Sequence, residues 1–255
     1  MRRTLFAVLF VFIAASLAFA AGEVKDAPDV TMEEKGSQPK IMLPEQRYDF
    51  GFAPEGFFLV HEYPIVNEGE GKLVIERVRT TCGCTSAPLK KKELEPGEET
   101  FVTVIFNSRR YTRRTSKGTI ITSNDPQNRS VRMTFVANMD TSGFVFGVEP
   151  FGINIPAGEE PDDEFEFEIT NESDDKYELE VIDWTSEVFE EPDLKDDEIK
   201  PGKTADLEVE LLDDFDAAEN YIKASVTLRA TRQAKGEEAE HAFNFTIPVK
   251  GAGPK

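Results

Sequence analysis

The chain has 255 residues, a formal net charge of -20 and two cysteines. That length holds one large or two ordinary domains. The charge sets the chain against nucleic acid and anionic membrane surfaces, and two cysteines exclude a disulfide-dense scaffold. The acidity is uneven: residues 41–140 carry 14 basic and 13 acidic side chains, and residues 141–255 carry 10 and 31.

In chain order, Arg2 and Arg3 precede an apolar run from Leu5 to Phe19 that ends in the small-x-small pattern Ala18-Phe19-Ala20. This predicts a secretory signal peptide over residues 1–20. The run is short for a membrane span of ~20 residues, and no later stretch is long and apolar enough to be one. An exported mature chain without a transmembrane segment is expected. Residues 21–40 mix charge with Pro, Gly, Ser and Gln and show no apolar period, which predicts a flexible leader.

From Ile41 short apolar runs are broken by turn residues, the pattern of a β-sandwich. Tyr48 to Gly51 closes a first strand, and Leu59, His61, Tyr63 and Ile65 share one face of the next. Asn67 to Gly71 is a turn. Leu73 and Ile75 share a face, and Val78 joins it only if a β-bulge lies at Glu76-Arg77. With the bulge, Thr80, Cys82 and Cys84 continue the inward face. Val102, Val104 and Phe106 alternate, Gly118 to Ser123 is a strand, and Val131, Met133 and Phe135 close the first module.

Asp140 to Gly143 reads as a boundary. Beyond it Phe165, Phe167 and Ile169 alternate with glutamates, Leu207, Val209 and Leu211 with acids, and Phe243, Phe245, Ile247 and Val249 with small and polar residues. These are strands with one wet face. Asn67 and Pro96-Gly97 recur as Asn171 and Pro201-Gly202, an offset of about one immunoglobulin-sized module. The expectation is all-β: two tandem immunoglobulin-like β-sandwiches after a signal peptide, over residues 41–140 and 144–255. In the second copy Asp183-Trp184-Thr185-Ser186 stands where the first has its cysteines, with Trp184 as core filler.

The first module resembles a bacterial family, domain of unknown function 1573. The resemblance rests on five motifs in order: His61, Tyr63, Ile65, Asn67, Gly69; Leu73, Ile75, Val78; Cys82-Gly83-Cys84-Thr85; Pro96-Gly97; and Ser123-Asn124-Asp125-Pro126. It implies an immunoglobulin-like domain of the class that includes major sperm protein, and an exported protein, periplasmic first and extracellular otherwise. It implies no activity.

Cys82 and Cys84 leave three readings open. They could form a local disulfide, which an oxidising compartment favours, although Cα atoms two apart in a strand lie near the upper limit for one. With His61 they could bind a soft metal such as copper, though two thiolates and one imidazole are too few for a closed zinc site. They could also be reduced packing residues. Arg109, Arg110, Tyr111, Arg113 and Arg114 form a basic loop with one aromatic, extended by Lys117; Lys90 to Lys92 form a second cluster. Either could be solvated charge or a contact for an acidic partner. Two histidines in predicted strands leave no Ser-His-Asp set, and no phosphate loop is present. The acid clusters at Asp162, Asp196 and Asp213 lack the EF-hand pattern.

The sequence thus predicts a non-enzymatic exported scaffold or protein-binding protein with no cofactor, using exposed edge strands. Its partner would be another exported or envelope protein, or a second copy held by opposite charge; nucleic acid is not expected. The alternative is thiol redox or copper binding at Cys82 and Cys84.

Overall fold

A computed structural model describes residues 37–156, 159, 161–217, 220–233 and 241–251. The expected signal peptide, and the leader up to residue 36, lie outside the described residues. The leader's last residues are engaged with the first module: Glu70 and Gly71 donate backbone hydrogen bonds to Gln38, and Glu68 to Lys40.

The described residues form eighteen strands. The first nine are β1 (Ile41–Met42), β2 (Arg47–Phe52), β3 (Phe58–Asn67), β4 (Leu73–Thr80), β5 (Thr85–Ser86), β6 (Glu93–Leu94), β7 (Glu99–Asn107), β8 (Arg114–Ser123) and β9 (Ser130–Asn138). The second nine are β10 (Phe146–Glu149), β11 (Ile153–Ile155), β12 (Glu164–Asn171), β13 (Tyr177–Trp184), β14 (Asp193–Leu194), β15 (Glu198–Ile199), β16 (Thr204–Glu210), β17 (Lys223–Arg232) and β18 (His241–Gly251). No helix among the described residues is long and apolar enough to cross a membrane.

The protein is an all-β, immunoglobulin-like sandwich fold. One layer of the first half is β1-β3-β7-β5, and β10-β12-β16-β14 is its counterpart in the second. The remaining strands form one continuous sheet, β15-β13-β17-β18-β2-β9-β8-β4-β6, with β11 joined to β18. Alternation dictates the layers. Phe165, Phe167 and Ile169 point inward and are buried while their glutamate neighbours are exposed, because successive strand residues face opposite sides. Two hydrophobic clusters result, one drawn from Ile41 to Met139 and one from Phe146 to Val249. The bulge expected in β4 is present: its register against β8 shifts between Ile75 and Arg77.

The turn after β3 and the turn after β12 are tied by the same asparagine. Asn67 is fully buried; its Nδ2 donates to Gly71 O (2.8 Å) and Leu94 O (3.0 Å), and its Oδ1 accepts from Gly69 N (3.0 Å). Asn171 repeats this with Asp175 O (2.7 Å), Ile199 O (3.2 Å) and Ser173 N (3.0 Å). An amide offers two donors and an acceptor at one point, so one side chain closes a turn and ties it to the opposite layer.

The halves meet at β2. This strand runs parallel to β9 on one side and bridges β18 at Phe52 and Phe245 on the other. Gly51 makes the approach possible. Its φ is +67°, and a Cβ there would lie 1.6 Å from the Asn244 carbonyl oxygen. Asn244 Nδ2 donates to Asp49 O (2.7 Å) and Thr246 Oγ1 to Phe50 O (2.6 Å). Ser225 of β17 covers the open edge of β3: Val60 N donates to Ser225 Oγ (3.0 Å), which donates back to Val60 O (3.3 Å).

Candidate functional site

The cysteines do not continue a strand face, contrary to the sequence expectation. β4 ends at Thr80, and Cys82 to Cys84 form a turn before β5. The turn draws the two Cα atoms to 5.3 Å, and the sulfurs are joined; an extended strand would hold them further apart. Three neighbours frame the turn. Thr80 Oγ1 donates to Cys82 O (2.9 Å), Asn107 N to Cys84 O (2.9 Å) and Thr81 N to Gly118 O (2.9 Å). Both cysteines are half-buried, and the Thr85 hydroxyl lies 3.4 Å from Cys82 Sγ and 3.7 Å from Cys84 Sγ.

The bridge closes a loop of only three residues. Extending the chain-entropy relation to that length gives about 1.6 kcal/mol of stabilisation, against ~3 kcal/mol for a fifteen-residue loop. It is therefore a minor brace for a module already held by a large core.

The basic loop divides. Arg109, Arg110 and Tyr111 join Gly83, Cys84 and Asn107 around a cavity of about 510 Å³. Arg110 is the only non-glycine residue with positive φ (74°) among those described, a conformation that costs energy outside glycine. Its backbone N–H donates to Glu55 Oε1 (3.0 Å), and the Lys117 ammonium sits 4.8 Å from the centre of the Tyr111 ring. Arg113 is exposed. Arg114 is not in the loop but opens β8, where it faces Asp49 at 3.8 Å and lines a different cavity, at the seam, with Phe52, Arg229 and Phe243. The lysine cluster is largely engaged: Lys90 pairs with Glu62 and Glu187 (both 3.0 Å), and Lys91 with Glu98.

His61 is placed apart from the cysteine set. Its Nδ1 lies 2.7 Å from Asp183 Oδ2 and its Nε2 2.9 Å from Glu45 Oε2, and its ring stacks on Tyr48 at 3.6 Å. Both ring nitrogens face carboxylates, which requires two N–H groups and hence the imidazolium. Burial opposes that charge, but the hydrogen bonds to Asp183 and Glu45 outweigh it and hold the pKa above the ordinary histidine value. With the sulfurs bridged and both imidazole nitrogens engaged, the three suggested metal ligands are each otherwise occupied. His61 instead joins the two halves.

Sequence reasoning gave no role to Thr85 or Asp183, which it quoted only within longer segments, and did not single out Asn107 or Glu45. Asp183 was read as part of the segment that replaces the cysteines, yet it lies in β13 ahead of the corresponding turn, and its partner, 122 residues away, was not visible in the sequence. In the second half, Glu164, Glu166 and Glu208 bring carboxylate oxygens within 4.8 Å of one another, and Glu208 also pairs with Lys195.

Residues 41–139 match the family described as "Protein of unknown function (DUF1573)". The match covers the segment that carries the Cys-Gly-Cys-Thr motif, the bridged turn and the basic loop. No curated protein matches the chain in sequence. Among solved structures, the chain is similar to a protein of unknown function from Porphyromonas gingivalis W83, at 22% identity over 39% of this chain and 46% of that one, with a TM-score of 0.37. The chain thus spans less than half the length of that protein. It is also similar to a PapD-like domain of human CEP192, at 9% identity over 49% of this chain and 96% of that one, TM-score 0.33. The E. coli chaperone DraB matches at 9% identity over 80% of this chain and 95% of that one, TM-score 0.32.

Proposed function

We propose that this is an exported, non-enzymatic protein-binding scaffold, periplasmic or otherwise extracellular, that meets its partner at the cavity between the bridged turn and Arg109, Arg110 and Tyr111. The observation that carries this reading is that two arginines and a tyrosine line one open cavity beside a framed turn. Arginine and tyrosine are the side chains that most often anchor protein interfaces. Neither Arg109 nor Arg110 forms a side-chain ion pair among the described residues, so both are available to a carboxylate. The preferred partner surface is therefore acidic. Edge-strand addition is less favoured in the first half, because the open edge of β3 is already covered by Ser225.

The test is retrieval from envelope fractions at low and high salt. The wild-type chain retrieves a defined partner at low salt, and Arg109→Glu/Arg110→Glu loses that partner while keeping the wild-type unfolding midpoint. Retrieval of the same proteins by both chains would count against the site, and no partner at low salt would count against the function.

A further inference from the structure

We infer that Cys82–Cys84 is a thiol–disulfide exchange site that accepts electrons from thiols flanked by carboxylates. The inference goes beyond the scaffold reading, since it concerns the chemistry of the bridge rather than the retention of a partner. Three observations carry it. The bridge sits in a turn at the wall of an open cavity, with Cys84 lining that cavity and both cysteines half-buried, Cys84 against the edge of the core. Two arginines line the same cavity, where they raise the local concentration of an anionic thiol. The Thr85 hydroxyl, itself buried, is within hydrogen-bonding reach of both sulfurs.

The exchange balances as follows. A thiolate of the donor attacks the Sγ of Cys84, the cysteine that lines the cavity. A donor–Cys84 disulfide forms, the Cys82–Cys84 bond breaks, and its electron pair leaves on Cys82 Sγ. The Thr85 hydroxyl donates a hydrogen bond to that new thiolate, and a charge-assisted bond is stronger than the one it makes to the neutral bridge. A second donor thiolate then attacks the donor sulfur of the mixed disulfide and releases Cys84 as thiolate. The donor dithiol has lost two electrons and become a disulfide. Cys82 and Cys84 have gained two electrons, and they take up the two protons that the donor thiols gave up. Attack by a thiolate on a disulfide sulfur, with rate set by access and by the leaving thiol, is the ordinary course of such exchange.

The second half shows that the fold does not need this apparatus. Its corresponding turn, after β13, has Ser186 to Val188 and no cysteine, and the loop between β16 and β17 carries Asp213, Asp214 and Asp216 in place of the arginines. Bridge and arginines are therefore both peculiar to one module, and the fold brings them to one cavity.

The experiment reduces the full chain with two dithiol peptides of equal thiolate concentration, one with acidic flanks and one with lysine flanks, at low salt. Appearance of the Cys82/Cys84 dithiol is read by alkylation and mass. The acidic peptide reacts at least about tenfold faster, Arg109→Gln/Arg110→Gln removes that preference, and Arg109→Lys/Arg110→Lys restores most of it. Thr85→Val slows both peptides several-fold with the ratio unchanged, and Thr85→Ser recovers the rate. A glutathione arm separates the sources: glutathione as fast as the acidic peptide assigns a small thiol, and a faster peptide assigns a protein thiol. Equal rates for the two peptides, or a bridge that neither reduces, overturns the inference. The scaffold reading fails separately, through loss of partner retrieval.

Discussion

The loop between β7 and β8 and the loop between β16 and β17 occupy the same place in the two halves, and their charges are opposite. The first carries Arg109, Arg110 and Arg113; the second carries Asp213, Asp214 and Asp216. The asparagines at the ends of the adjoining sheet strands β3 and β12, Asn67 and Asn171, make nearly the same set of hydrogen bonds. What repeats is what closes the sandwich. What diverges lies where the sandwich tolerates change, and in the first half the divergence gathers a bridge, two arginines and a tyrosine at one cavity.

One sheet joins the two halves, and Gly51→Ala breaks that joint most severely. A Cβ there meets backbone 1.6 Å away in a left-handed conformation, so roughly 4 kcal/mol is lost. Denaturant unfolding should then show two transitions where the wild type shows one; a single transition at the wild-type midpoint would mean that the close approach at Gly51 does not hold the joint. Asn67→Ala and Asn171→Ala should each cost about 3 kcal/mol, because each strands buried donors and acceptors. A large loss in one half and a small loss in the other would show that the repeated network does not carry equal weight.

His61 sharpens the comparison, since it belongs to the first half and bonds to Asp183 of the second. Its removal by His61→Ala should cost about 2 kcal/mol, below the usual figure for a buried pair because both carboxylates keep partial access to water. The imidazolium is favoured in the folded state, so its folded pKa is raised. The stabilisation is then complete below the unfolded value of about 6.5 and is lost as pH rises through the folded value. Thermal unfolding followed against pH should show this decline in the wild type, and His61→Gln should flatten it. The smallest effect is expected from Cys82→Ser/Cys84→Ser, about 1.6 kcal/mol. A loss above ~4 kcal/mol would make the bridge a structural brace and remove the functional contrast between the halves.

Much of the fold was legible because one physical rule wrote it. Phe165, Phe167 and Ile169 alternate with glutamates, and an alternating strand has only one face to bury. The bulge in β4 could be read from Val78 alone, whose parity was wrong without it. The two-residue strands β1, β5 and β6 left no period to detect. The bridged turn was misread as strand because apolar Val78 and the cysteines kept a two-residue period past the point where pairing ends. The basic segment was read as one loop, yet Arg114 and Lys117 lie in β8 and only Arg109 to Tyr111 reach the bridge. The junction of the halves was invisible for a different reason: His61 to Asp183, Val60 to Ser225 and Phe52 to Phe245 each join residues more than a hundred positions apart, and no local pattern encodes such distances.

The single bridge between Phe52 and Phe245 also sets an order of events. A chain made from its N-terminus has β2 early, but the strand that β2 must meet is the last of the eighteen. Until β18 emerges, one edge of β2 stays unpaired, and unpaired edges are where incomplete chains associate wrongly. Contacts so distant in sequence also close slowly. Asp49 and the left-handed Gly51 turn that edge out of a regular ladder, which makes it a poorer template for such association than a straight edge.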